Sequence, residues 1–293
     1  MEACGGSHYW SREFAAQGYM AKQVPAQHVA PFRGKGHKND FRDAQAVLEA
    51  GRRPGMKYVT PKSVTQQERQ ILHRIRTRIN KERVALANET RGFLAEFGVI
   101  LRKGHKALDD YINYEAGKDS RITDAFRERL FQLGAEIRSK KDLLVRIDKE
   151  IHQDVRSSPE GKSLLKMRGV GDLIASALLC ISGDIKQFKN GRHFAAFLGL
   201  VPRQNSTGGK AQLLGLTKSG NAYLRSLLIV GAQSVINNCE GKTDNYSLWV
   251  QKLLRTKERN LVAVAIANKN ARIAWQILAK GAQFDPNLAC QAQ

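Results

Sequence analysis

Acidic residues are scarce in this chain, and in one stretch they are missing. There are 27 Asp and Glu against 48 Lys and Arg in 293 residues, for a net charge of +21 and a pI of about 10.1. Residues 185–239 contain no carboxylate, where random placement would give about five. The four cysteines, Cys4, Cys180, Cys239 and Cys290, are far apart and form no CxxC or Cys/His cluster. That argues against a disulfide framework and a zinc site, and fits a reducing cytoplasm. No apolar run approaches the length of a membrane span, and the opening MEACGGSHYW lacks the charged and apolar regions of a signal peptide. Fixed-period repeats and low-complexity tracts are also missing.

What is present is a folded, strongly basic chain. Hydrophobic residues make up 42% and aromatics 7%, enough for two or three domains with at least one real core. Such a charge excess points to a polyanionic partner held by counterion release. An anionic membrane surface is disfavoured, because the basic helices also carry Asp and Glu.

The acid-free stretch centres on residues 191–228, GRHFAAFLGLVPRQNSTGGKAQLLGLTKSGNAYLRSLL. Helical phases at 193–200 and 221–228 bracket a segment read as a loop. Lys186, Lys189, Arg192, Arg203, Lys210, Lys218 and Arg225 supply seven cations, and Gly208, Gly209, Gly215 and Gly220 leave backbone N–H groups bare. Cations, bare amides and excluded carboxylates suit a phosphodiester backbone. Within the loop, Ser206 and Thr207 sit beside Gly208 and Gly209. Two readings are open: an ordinary turn, or a hydroxyl that attacks phosphorus while cations stabilise the developing charge. No Ser-His-Asp arrangement is legible, and His37 and His193 are too loosely placed to nominate as a base.

Residues 1–50 read as a short α/β unit with a helix end at 14–19, a brief strand at 27–32 and a helix at 40–50. Fifty residues cannot by themselves close a sheet with two covered faces. Residues 51–63, with two prolines and two glycines, read as a linker. Two long helices follow. The first carries an apolar stripe at Ile71, Ile75, Ile79, Leu86, Leu94, Phe97 and Leu101, with Arg74, Arg76, Arg78, Lys81 and Arg83 on other faces. The second places Phe126, Leu130, Leu133, Ile137, Leu144, Ile147 and Ile151 on a heptad seam that includes Lys140. Joined by residues 104–119, they should pack as an antiparallel coiled-coil hairpin, serving as a spacer or dimerisation arm. Its arginine face either touches phosphates or is solvated.

Beyond residues 157–161, Gly169-Val170-Gly171 lies between a short helix and an apolar helix at 173–181, the pattern of a helix-hairpin-helix turn able to hold a DNA phosphate. A plain helical corner is the other reading. Residues 260–278 read as a core helix. Asp40 and Asp43, at i and i+3, lie on one face of a first turn. They serve either as N-terminal capping acids or as part of a hard-cation site needing further carboxylates, with Glu2 a candidate.

The segments HVAPFRGKGHKNDFRDAQAV, RGVGDLIASALL, RHFAAFLGLVPRQNSTGGK, LTKSGNAYLRSLLIVGA and ANKNARIAW together resemble the insertion-sequence-110 transposases, Piv/MooV-like DEDD recombinases, with the best fit to the eleven-eleven subgroup. The resemblance spans nearly the whole chain and implies a mainly α protein with a small α/β part. Its expected parts are an incomplete RuvC-like (RNase H-type) remnant over 1–55, a coiled-coil helical hairpin over 60–156 and a helical C-terminal transposase domain over 160–293. It further implies a bacterial cytoplasmic DNA transposase, working as a homo-oligomer and possessing in some members a structured guide RNA. By the same resemblance Glu2, Asp40 and Asp43 match the second, third and fourth Mg²⁺-binding acids, and Ser206 is the nucleophile with Thr207 as the alternative. Gly169, Gly171, Arg192, Arg203, Gly208, Gly209, Lys210, Lys218 and Arg225 are the expected nucleic-acid contacts. The family's first aspartate and its opening strands have no counterpart here, so the expectation is an N-terminally shortened chain that binds Mg²⁺ poorly. Recombination by this chain alone would then be weak or lost, leaving a non-catalytic nucleic-acid-binding remnant as the alternative. A helix-hairpin-helix base-excision enzyme is a distant third reading, since no lysine/aspartate pair follows the turn.

Overall fold

A computed structural model describes residues 1–34, 39–181, 185–208 and 210–284. The N-terminal lobe is a small βαβ unit: β1 (Glu2–Ala3), α1 (Ser7–Ala16) and β2 (Val24–Pro25), with the strands parallel. The buried Gln23 fastens α1 to the sheet, its amide donating to Ser11 Oγ at 2.8 Å and to the Ser7 carbonyl at 3.1 Å. The strand expected at 27–32 is instead a helical turn, α2 (Ala26–Val29), running into a 3₁₀ turn (Ala30–Phe32). Pro31 explains the difference: it lacks the N–H a ladder needs and has the fixed φ of a helical first turn. Helix α3 (Asp40–Arg52) follows, capped by the Asn39 side chain, which accepts from Arg42 N at 2.8 Å. The lobe's core is small: Val24, Val29, Ala46 and Ala50, flanked by Phe32, Val47, Met56 and Tyr58.

Helix α4 (Val64–Glu96) begins at a full capping box between Ser63 and Gln66. After a connection containing α5 (His105–Asp110) and a π turn (Tyr111–Glu115), α6 (Asp124–Ser157) returns alongside it. Ion pairs Arg69–Asp154, Arg76–Asp148 and Lys140–Glu82 descend one helix as they climb the other, which fixes an antiparallel register. On α6 the expected seam holds, with Leu130, Ile137, Leu144, Ile147 and Ile151 buried. On α4 it does not hold at the N-terminal end: Ile71 and Ile75 are exposed, while His73 is buried. The far end of the arm has its own cluster around Leu94, Leu108, Tyr111 and Leu130, closed by Phe97 stacked on Phe126 at 4.4 Å.

The C-terminal domain contains α7 (Pro159–Leu165), α8 (Asp172–Ile181), α9 (Gly191–Phe197), β3 (Pro202–Thr207), β4 (Lys210–Leu216), α10 (Ala222–Asn237), α11 (Asn245–Leu254) and α12 (Arg259–Lys280). Helix α12 is the apolar spine, with Val262, Ala263, Ile266, Ala267, Ala271, Ala274 and Ile277 all buried. The base of the arm, from Leu144 to Val155, belongs to this same core. Residues 201–216 are not a loop. They form a two-stranded antiparallel hairpin in which Ser206 faces Ala211 and Thr207 faces Lys210. No helix among the described residues is long and apolar enough to cross a membrane.

Candidate nucleic-acid interface and candidate catalytic residues

The hairpin is positioned from below by two glycines. A Cβ on Gly220 would lie 1.8 Å from the Phe197 carbonyl oxygen, and one on Gly199 would lie 2.3 Å from the Ser219 carbonyl oxygen. Both have positive φ, 73° and 68°. Only glycine lets the two ends of the hairpin approach so closely. Arg225 completes the clasp by donating from Nη1 to the Leu198 carbonyl at 3.0 Å and the Ser219 carbonyl at 2.9 Å. That side chain, expected on nucleic acid, is half-buried and spent largely on holding the hairpin base together.

Above the clasp every residue of β3 is exposed. The strands meet through the two-residue connection 208–209, and Gly208 has a φ of 57°, the left-handed geometry of a tight hairpin turn. Gly209 lies outside the described residues. The Ser206 hydroxyl stands in solvent, accepting from Gln204 Nε2 at 2.7 Å. Arg203 sits at an irregularity in the register between Pro202 and Gln204, the kind of bulge that re-aims a side chain. Arg192, Arg203, Lys210 and Lys218 are all exposed, and none makes an ion pair among the described residues. Lys218 holds a positive φ of 53° at the exit from the hairpin. The result is an uncompensated cationic finger with two accessible hydroxyls near its tip.

The turn at 169–171 joins α7 to α8 as the spacing predicts. Gly169, however, is a packing residue: a Cβ there would lie 2.6 Å from the Gly231 carbonyl oxygen on α10. The N-terminus of α8 already holds the Asp172 carboxylate, which meets His152 Nδ1 at 3.0 Å and Arg156 Nε at 3.7 Å. Gly171 remains open, with nothing within 4 Å of a Cβ placed on it.

In the N-terminal lobe, Glu2 on β1 and Asp43 on α3 do come together, but through a cation of the chain itself. Arg33 Nη2 donates to both Glu2 carboxylate oxygens at 2.9 and 2.8 Å, and its Nε lies 3.2 Å from Asp43 Oδ1. Asp40, one turn earlier, is exposed. Among the described residues no group of three or more Asp, Glu, His or Cys is gathered to hold a metal. A hard cation takes six or more oxygens, whereas here Glu2 and Asp43 are the only two carboxylates brought together among the described residues, and one guanidinium already occupies the space between them. These residues do not fit a resident Mg²⁺ as they stand. No hydrogen bond or ion pair among the described residues links Ser206 to any of the three acids. His37 lies outside the described residues.

Sequence reasoning passed over one polar site. His73 on α4 is buried against the C-terminal domain, with Nδ1 2.9 Å from Tyr223 Oη on α10 and Nε2 3.0 Å from Ser176 Oγ on α8. Burial, aided by the Arg76 charge, pulls its pKa down to about 4, so it is neutral at physiological pH. Its signal in sequence is a histidine set among arginines at an apolar phase.

The family model for the transposase IS116/IS110/IS902 family matches residues 161–247, the segment that contains the hairpin. A probable family 20 transposase of Pseudomonas aeruginosa is 43% identical over 98% of this chain and 85% of its own length. The transposase for insertion sequence element IS1111A of Coxiella burnetii is 38% identical over 96% of this chain and 77% of its own length. A more distant relative, the pilin gene-inverting protein of Moraxella lacunata, is 26% identical over 52% of this chain and 48% of its own. On identity at this level across nearly its full length, the chain belongs to the IS116/IS110/IS902 family of transposases.

Proposed function

We propose that this transposase cuts and joins DNA through the cationic hairpin, with Ser206 as the nucleophile. The observation that carries the reading is the exposed Ser206 hydroxyl on a hairpin whose neighbouring cations have no carboxylate partners among the described residues. A scissile phosphodiester laid across the hairpin tip would meet Arg203 at the bulge and Lys210, which shares the Thr207 face, with Arg192 and Lys218 extending the charge and Gly171 offering an open backbone site. Attack forms a bond from Ser206 Oγ to phosphorus and breaks one bridging P–O bond, whose departing sugar oxygen takes up a proton. A second sugar hydroxyl then reverses the exchange and rejoins the strand. The cations offset the charge that builds on the phosphoryl oxygens, the largest single contribution available here. Thr207 is the adjacent alternative, opposite Lys210 in the register. A structured RNA and further copies of the chain are partners that the family resemblance implies, and they belong with this proposal.

A second reading, nucleic-acid binding without catalysis, is favoured by the Arg33 guanidinium lodged between Glu2 and Asp43. Ser206→Ala separates the two. Strand exchange on donor and target DNA, with Mg²⁺ and the element's RNA supplied, is expected from the wild type and should be abolished in the variant, while salt-dependent DNA binding stays unchanged in both. A wild type that binds DNA but exchanges no strands would leave the binding-only reading.

A further inference from the structure

The arm was expected to present an arginine face, yet most of that face is used within the protein. Arg69 and Arg76 pair with Asp154 and Asp148, Arg78 with Glu82, and Arg83 donates to the Asn80 side chain at 3.0 Å. Arg74 has no such partner among the described residues, and it is exposed. It lies near the junction of the N-terminal lobe, the 53–63 connection and α4. There Lys62 Nζ is 3.4 Å from His8 Nε2, and the Lys62 backbone N–H donates to His8 Nδ1 at 3.2 Å. Arg12, also on α1, donates from Nη1 to the Lys62 carbonyl at 2.8 Å and to Gln67 Oε1 at 3.0 Å.

We propose that His8, Arg12, Lys62 and Arg74 form a phosphodiester-binding node, on elements separate from the hairpin, that grips the backbone of the DNA the hairpin works on. This rests on the transposase reading above and names a second contact with the same substrate.

Three observations support it. His8 and Arg12 on α1 meet Lys62, some fifty residues away, through direct contacts, and the charge of Arg74 on α4 acts on both His8 and Lys62, which a solvated charge run does not do. No carboxylate lies within ion-pair range of Arg12, Lys62 or Arg74 among the described residues, although Arg69, Arg76 and Arg78 on either side of Arg74 are each paired with one. Finally, Arg12 and Lys62 are half-buried beside a half-buried His8, so the repulsion between cations there is poorly screened. Burial lowers the pKa of both Lys62 and His8, and the nearby cations add to it. Arg12, Lys62 and Arg74 are cations without carboxylate partners among the described residues, gathered about a neutral His8, and an entering phosphate would supply the missing anion. Since DNA presents regularly spaced phosphates, the site would track its backbone without reading bases.

The test uses the full chain, a 30-base-pair DNA duplex and an RNA duplex of the same length, with affinity measured by fluorescence anisotropy across a KCl series. For Lys62→Gln/Arg74→Gln, DNA affinity at moderate salt should fall about tenfold and the log K against log[salt] slope should flatten by about 1 to 2. The melting temperature at low salt should hold or rise, because a repulsive pair has been removed. Lys62→Arg should retain wild-type binding. An unchanged affinity and slope, alongside losses in Arg203→Gln/Lys210→Gln, would overturn the node while leaving the hairpin reading intact. A lowered melting temperature with unchanged slope would show a purely structural role, and a loss confined to RNA would also refute the proposal. A wild type with no salt-dependent DNA affinity would sink the transposase reading itself.

Discussion

At residue scale, His73 couples the arm to the domain that carries the hairpin. One ring nitrogen donates and the other accepts, so the neutral imidazole satisfies both Tyr223 and Ser176. His73→Ala should leave two hydroxyls without their partner and open a cavity, at a cost of about 2 to 4 kcal/mol in urea unfolding. The depressed folded pKa sets the pH dependence. Between about 4 and the ordinary histidine value of 6.5 the unfolded chain takes up a proton that the folded chain refuses. Stability is therefore lost as pH falls through that window, by on the order of 3 kcal/mol. His73→Gln should flatten that part of the stability curve. The residue escaped the sequence reading because the hydrophobic stripe was drawn through Ile71 and Ile75, which the structure leaves exposed. The legible pair of acids was Asp40 and Asp43, with Glu2 as a further candidate, whereas the structure joins Glu2 to Asp43 and leaves Asp40 exposed. Arg33, the counter-ion of Glu2 and Asp43, was not legible, since only the folded lobe brings the three together.

At the scale of elements, the hairpin was the principal miss, and the reason is physical. Alternation of apolar and polar residues marks a strand only where one face is buried, and all six residues of β3 are exposed. The signal that did exist was the Gly-Gly pair at 208–209, the right length and chemistry for a two-residue hairpin turn. The arm was far more legible, because the heptad seam of α6 is buried along most of its length. Gly220→Ala tests the clasp: with its Cβ 1.8 Å from a carbonyl oxygen at positive φ, the hairpin base must shift. A loss of about 3 kcal/mol or more is expected, seen as a lower melting temperature together with lost strand exchange. Gly215→Ala, with open space around its Cβ, should change neither by much.

At the scale of the molecule, the +21 charge is distributed by use. Along the arm, Arg69 and Arg76 are paired across the two helices and hold the antiparallel register. At the hairpin the cations are left unpaired among the described residues, and the nearest stretch of chain carries no acid to quench them. DNA affinity should accordingly fall about 10³- to 10⁵-fold between 50 and 200 mM salt if six to ten phosphates are neutralised, measurable with any duplex regardless of sequence. The long helices could be read from their periodicity, whereas the joining of the arm's base to the C-terminal core could not, since it depends on contacts between residues far apart in sequence.

The most direct measurement is to stop the reaction with denaturant while strands are exchanging and locate any DNA-linked residue by peptide mass spectrometry. A phosphodiester ester on Ser206, absent from Ser206→Ala, is the expected result. An adduct on another residue, or undiminished adduct and strand exchange in Ser206→Ala, would contradict the assignment of this hydroxyl as the nucleophile.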